Sequence, residues 1–163
     1  MKNLVLVGFM GSGKTSAGKL VAQRLGLKFV DMDDLMEQRH NQTISNIFET
    51  KGEAFFRKHE RNLARELAAR QDHCIATGGG VVLDPNNLRD LGRNGVVICC
   101  WVDAPVAYER TKHAKHRPLL NRLEELFQQR ESLYKAIPDR IDTSAMTVEQ
   151  QADAIERLYR ERS

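Results

Sequence analysis

The stretch Leu4-Val5-Leu6-Val7-Gly8-Phe9-Met10-Gly11-Ser12-Gly13-Lys14-Thr15 decides the fold. Its first four residues form a short apolar run that reads as a strand. The next eight fit the pattern G-x-x-x-x-G-K-[ST]. A helical pattern follows from Ser16 to Leu25, with Leu20, Val21 and Leu25 at helical spacing. Glycines let successive backbone N–H groups turn inward around phosphate oxygens, and the positive end of the next helix favours the same anion. Lys14 is then placed for β- and γ-phosphates and the Thr15 hydroxyl for Mg²⁺. A chance match in a glycine-rich turn is the alternative, and the strand before and helix after it argue against chance. Gly11, Ser12, Gly13, Lys14, Thr15 and Ser16 are therefore candidates to bind the phosphates of ATP. The loop alone fits a kinase, a switch GTPase or an ATPase motor, so it leaves the acceptor open.

Outward from this loop, short strand-like runs alternate with helical stretches. Phe29 and Val30 mark a second strand, His73 to Ala76 a third, Val96 to Val102 a fourth and Arg140 to Asp142 a short fifth. Several helices are expected between about 35 and 70, another from about 119 to 137, and a last one from Val148 to Arg160. Thr147 is placed to cap that last helix. The alternation predicts an α/β fold with a parallel sheet covered on both faces. The nearly unbroken apolar run from Val96 to Val102 suits a strand buried on both sides. With 163 residues and no linker or repeat, the chain reads as one domain spanning 1–163.

Composition narrows the partners. The chain has 25 Lys and Arg against 22 Asp and Glu, a net charge of +3 that gives no footprint for nucleic acid. No stretch approaches the length of a membrane span. The three cysteines, Cys74, Cys99 and Cys100, sit in apolar runs without metal-ligand spacing and read as reduced core residues. Cys99 and Cys100, adjacent on a strand, should face opposite sides of it. A cytoplasmic monomer working on a small anionic molecule is the expectation.

Four further segments bear chemistry. Asp31, Asp33 and Asp34 follow the second strand, at the strand end where α/β sheets gather ligands. They can hold Mg²⁺ or take a proton from a hydroxyl, or simply open a helix. Arg57 and Glu60 share a helix face and can pair; on the residues alone a plain surface ion pair is favoured over a carboxylate-binding fork. Thr77-Gly78-Gly79-Gly80 allows a ligand close to the backbone, or is a flexible turn. Asp103-Ala104-Pro105 reads as a helix cap rather than a metal-binding strand end. The basic segment Arg110 to Pro118 is a mobile lid over phosphates or a solvated loop.

In this order and spacing, G-F-M-G-S-G-K-T, F-V-D-M-D, F-R-K-H-E, T-G-G-G, R-P-L-L and R-E-S-L-Y resemble the motifs of the shikimate kinase family. The resemblance covers nearly the whole chain. It implies a three-layer fold with a five-stranded parallel sheet in the order 2-3-1-4-5, a helical acceptor-binding region at about 33–61 and a lid at about 112–121. It further implies transfer of the ATP γ-phosphate to the 3-hydroxyl of shikimate. Asp33 then matches the group that holds the shikimate hydroxyls and acts as base. Arg57, the glycines Gly78, Gly79 and Gly80, and Arg130 match its binding groups, with the arginines facing its carboxylate. Thr15 and Asp31 match the Mg²⁺ support, Arg117 the lid arginine on the phosphates, and Arg110 the arginine near adenine. A kinase of another small acceptor and a non-catalytic nucleotide-binding module are the rivals.

Overall fold

A computed structural model describes residues 1–113 and 122–163. The elements are β1 (Asn3–Val7), α1 (Lys14–Leu25), β2 (Lys28–Asp31), α2 (Met32–His40), α3 (Ile44–Lys51), α4 (Glu53–Ala68), β3 (His73–Ala76), a 3₁₀ turn (Val81–Leu83), α5 (Pro85–Arg93), β4 (Gly95–Trp101), α6 (Ala104–Thr111), α7 (Leu123–Lys135), β5 (Arg140–Asp142) and α8 (Val148–Arg162). The strands form one parallel sheet in the order β2-β3-β1-β4-β5. This is the expected order. β1 lies at its centre, with Val5 opposite Ile75 on one side and Val97 on the other.

Strand alternation divides the core into two layers. Val5, Val7, Ile75 and Cys99 pack beneath α2–α5 and α7. Leu4, Leu6, Cys74, Ile98 and Cys100 pack beneath α1 and α8. All of β1 is therefore buried. Cys99 and Cys100 enter opposite layers as their spacing requires, and all three cysteines are buried thiols. Loss of solvent pushes Cys99 up to about 12, so the thiol form persists near neutral pH.

Some boundaries differ from the sequence reading. Helix α1 starts at Lys14 rather than Ser16, so the Lys14-Thr15 pair of the loop motif is already helical. Helix α5 was not anticipated, because Pro85–Arg93 has few apolar residues; its start signal is Asp84, which accepts a hydrogen bond from the Asn86 N–H at 2.9 Å, followed by Pro at the first helical position. Asp103 does stand at the start of α6 but its side chain does not cap it. Instead Asp103 accepts a hydrogen bond from the Trp101 indole at 3.1 Å. Thr147 caps α8 as expected, in a capping box with Gln150.

Candidate active site

The loop between β1 and α1 lies at the C-terminal edge of the central strand, with neighbouring strands delivering groups to either side. Gly13 precedes α1 at φ 85°, a left-handed conformation that glycine adopts without penalty. The Lys14 ammonium is buried and donates to the Gly8 carbonyl at 2.6 Å and the Phe9 carbonyl at 3.2 Å. The Ser12 carbonyl accepts from the Gln151 amide at 2.6 Å and lies 3.1 Å from the Thr143 hydroxyl. Arg110 donates to the Gly11 carbonyl at 3.1 Å and to the Thr143 carbonyl at 2.7 Å. Gly11, Gly13, Lys14, Thr15, Ser16, Arg110, Met146 and Gln151 line a pocket of about 420 Å³. Its position between the loop, α6 and the start of α8 suits a nucleoside.

On the other side of Lys14 and Thr15 lies a second pocket of about 360 Å³. The Thr15 hydroxyl donates to Asp31 Oδ2 at 2.7 Å. The second oxygen of Asp31 accepts from the Asp33 N–H at 2.9 Å and the Asp34 N–H at 3.2 Å, which starts α2. Asp33 and Asp34 line the pocket from that first turn. Desolvation, with Asp31 and Glu37 nearby, raises the Asp34 carboxyl above its ordinary range.

Arg57 and Glu60 of α4 form the far wall, and here the surface reading is corrected. Arg57 Nη1 donates to Glu60 Oε1 at 3.0 Å, Glu60 is buried, and both face the cavity. Helix α4 packs on the sheet through Phe56, Leu63, Ala64 and Leu67, and that stripe turns Glu60 inward. Burial raises the Glu60 carboxyl above its usual range, while Arg57 and Arg130 oppose the rise. One carboxylate thus stands between two guanidiniums, and the trio keeps an excess positive charge that suits an incoming carboxylate. Arg130 is buried on α7 and reaches the same cavity.

Gly78, Gly79 and Gly80 form the floor. At Gly80 an added Cβ would collide with the Arg57 guanidinium, so the missing side chain there leaves room for that guanidinium in its present position. The Tyr134 hydroxyl donates to the Gly79 carbonyl. Sequence reasoning missed Tyr134, Gln151 and Thr143. Tyr134 had a signal, since it lies one turn beyond Arg130 on one helix face. Arg117 lies outside the described residues, as does most of the expected lid. Among the described residues no group of three or more His, Cys, Asp or Glu could hold a metal.

Comparison with known proteins follows this geometry. The family described as shikimate kinase matches residues 10–159. A shikimate kinase of Thermodesulfovibrio yellowstonii is 43% identical over 165 residues, covering 98% of this chain and 95% of the relative. One from Caldanaerobacter subterraneus is 41% identical, covering 98% and 96%. The structure of shikimate kinase from Acinetobacter baumannii in complex with shikimate is similar at a TM-score of 0.93, with 32% identity over 100% of this chain and 95% of that one.

Proposed function

Because this chain belongs to the shikimate kinase family, we propose that its two pockets are the nucleotide and shikimate sites of an enzyme that moves the ATP γ-phosphate onto the 3-hydroxyl of shikimate. The products are shikimate 3-phosphate and ADP, in the route to chorismate and the aromatic amino acids. The observation that carries the residue assignment is the 360 Å³ cavity walled by Lys14 and Thr15 on one side and by Asp33, Arg57 and Arg130 on the other.

In this reading the backbone amides of Gly11 to Ser16 hold the β- and γ-phosphates, and Lys14 leaves its carbonyl partners to offset their charge. Arg110 lies beside the base. Arg57 and Arg130 take the shikimate carboxylate, and Gly78 to Gly80 let the ring approach. Asp33 accepts the proton of the attacking hydroxyl. Arg117 is assigned to the transferring phosphoryl group on the family resemblance, in a lid at 112–121 that excludes water on closing. Little covalent work falls to the protein; positioning and charge dominate.

The Thr15 hydroxyl and Asp31 carboxylate, 2.7 Å apart beside the loop, are hard oxygen donors that fit a cation which keeps most of its waters. They would hold Mg²⁺, whose chemistry when bound is charge neutralisation across the bridging phosphate oxygens. No described helix is long and apolar enough to cross a membrane. The buried free thiols favour a cytoplasmic setting.

A panel of acceptors in a coupled ADP-release assay tests the reading. Shikimate should be phosphorylated far faster than gluconate or a nucleoside monophosphate, because two guanidiniums and one aspartate match one carboxylate and neighbouring hydroxyls. Equal or better turnover of either competitor would sink the acceptor assignment.

A further inference from the structure

We infer that Gln151 is a positioning residue for the phosphate loop: its buried side-chain amide fixes the Ser12–Gly13 peptide so that the Gly13 N–H faces the nucleotide phosphates. The inference rests on the nucleotide reading of this loop and adds a residue outside the loop's motif.

Gln151 lies near the start of α8 and is buried against the loop. Its Nε2 donates to the Ser12 carbonyl at 2.6 Å. The Thr143 hydroxyl also lies within reach of that carbonyl, at 3.1 Å, but it is nearer the Trp101 carbonyl at 2.9 Å. A hydroxyl has one proton to give. Gln151 is therefore the dedicated donor.

In a trans peptide the carbonyl and the following N–H point in opposite directions. Turning the Ser12 oxygen toward α8 turns the Gly13 N–H away from it. Gly13 has φ of 85°, and a peptide followed by glycine meets less steric resistance to flipping than one followed by a residue with a Cβ. An anchor outside the loop therefore favours one orientation of this peptide over the other. Packing adds to this, because a Cβ on Gly13 would lie 2.5 Å from Gln151 Oε1.

The test is steady-state kinetics of the full chain carrying Gln151→Met or Gln151→Glu, with ATP and shikimate varied separately and thermal stability recorded. Gln151→Met keeps the length and removes the donor. It should raise the ATP KM about tenfold, as expected for a buried carbonyl that loses its partner, with the shikimate KM within about twofold. In Gln151→Glu a protonated carboxyl can still donate and an ionised one cannot, so the ratio of its ATP KM to the wild-type value should climb as pH rises. A purely structural role would lower the melting temperature without this split or this pH profile. A folded Gln151→Met with an ATP KM within twofold of wild type, or both KM values rising together, overturns the inference. If Gln151→Met does not fold, a pH-independent ratio for Gln151→Glu overturns it. Wild-type enzyme in the same assay separates the two failures: no ATP turnover there removes the nucleotide reading itself.

Discussion

The proposed nucleotide side and the proposed acceptor side of this enzyme are built by different means. On the nucleotide side the phosphate-facing groups are consecutive residues, and the more distant Arg110 and Gln151 reach them through backbone carbonyls. Lys14 rests on the Gly8 and Phe9 carbonyls, Gln151 on that of Ser12, and Arg110 on those of Gly11 and Thr143. On the acceptor side, Asp33, Arg57, Gly80 and Arg130 come from four separated segments and line one cavity, where Arg57 and Arg130 both act on the buried Glu60 carboxylate. Phosphate is common to every user of this loop, so a repeated backbone geometry suffices. One particular carboxylate and hydroxyl pair needs charges that only tertiary packing assembles.

The largest way to break this division is Lys14→Ala. It should lower turnover by about 10²–10³-fold, the usual cost of removing one preorganised charge from a developing anion. Shikimate binding, measured by calorimetry without nucleotide, should stay within about twofold if the two sides are separable. A matching loss of shikimate affinity would merge them.

The next effect belongs to the acceptor side. Gly80 has φ −94°, so alanine there carries no backbone strain, yet its Cβ would collide with the Arg57 guanidinium. The guanidinium is the end of a flexible side chain and should swing off Glu60. Gly80→Ala should raise the shikimate KM about tenfold, the scale of one lost charge-assisted hydrogen bond. The ATP KM should hardly move. Unchanged shikimate kinetics would remove Arg57 from the binding assignment.

The same contrast explains what could be read from the residues alone. The loop, the alternation of strands and helices and the strand-end position of Asp31 and Asp33 follow from contiguous patterns, whereas the strand order comes from the family resemblance. The burial of Arg57 with Glu60 does not, because a spacing of three residues places two side chains on one helix face without saying which way it turns. That direction is set by Phe56, Leu63 and Leu67 packing on the sheet. Gln151 had no signal at all: a glutamine near the start of a helix is ordinary, and its partner is 139 residues away in the chain. Helix α5 was missed for a related reason, since its capping residue and proline were present but its apolar stripe was thin.

Asp31 is the joint between the two sides, and its two oxygens can be tested apart. Oδ2 takes the Thr15 hydroxyl, and Oδ1 caps the helix that presents Asp33. Asparagine caps a helix about as well as aspartate, so Asp31→Asn should leave α2 in place and remove only the charge beside Thr15. The ATP KM at limiting Mg²⁺ should then rise about fivefold, in line with losing one charged oxygen donor, with shikimate KM nearly unchanged. Asp31→Ala removes the cap as well. It should cost about 1 kcal/mol in urea unfolding and raise the shikimate KM too, because Asp33 loses its anchored N–H. If the two variants behave alike, Oδ1 does no separate positioning and the acceptor side depends on this carboxylate through its charge alone.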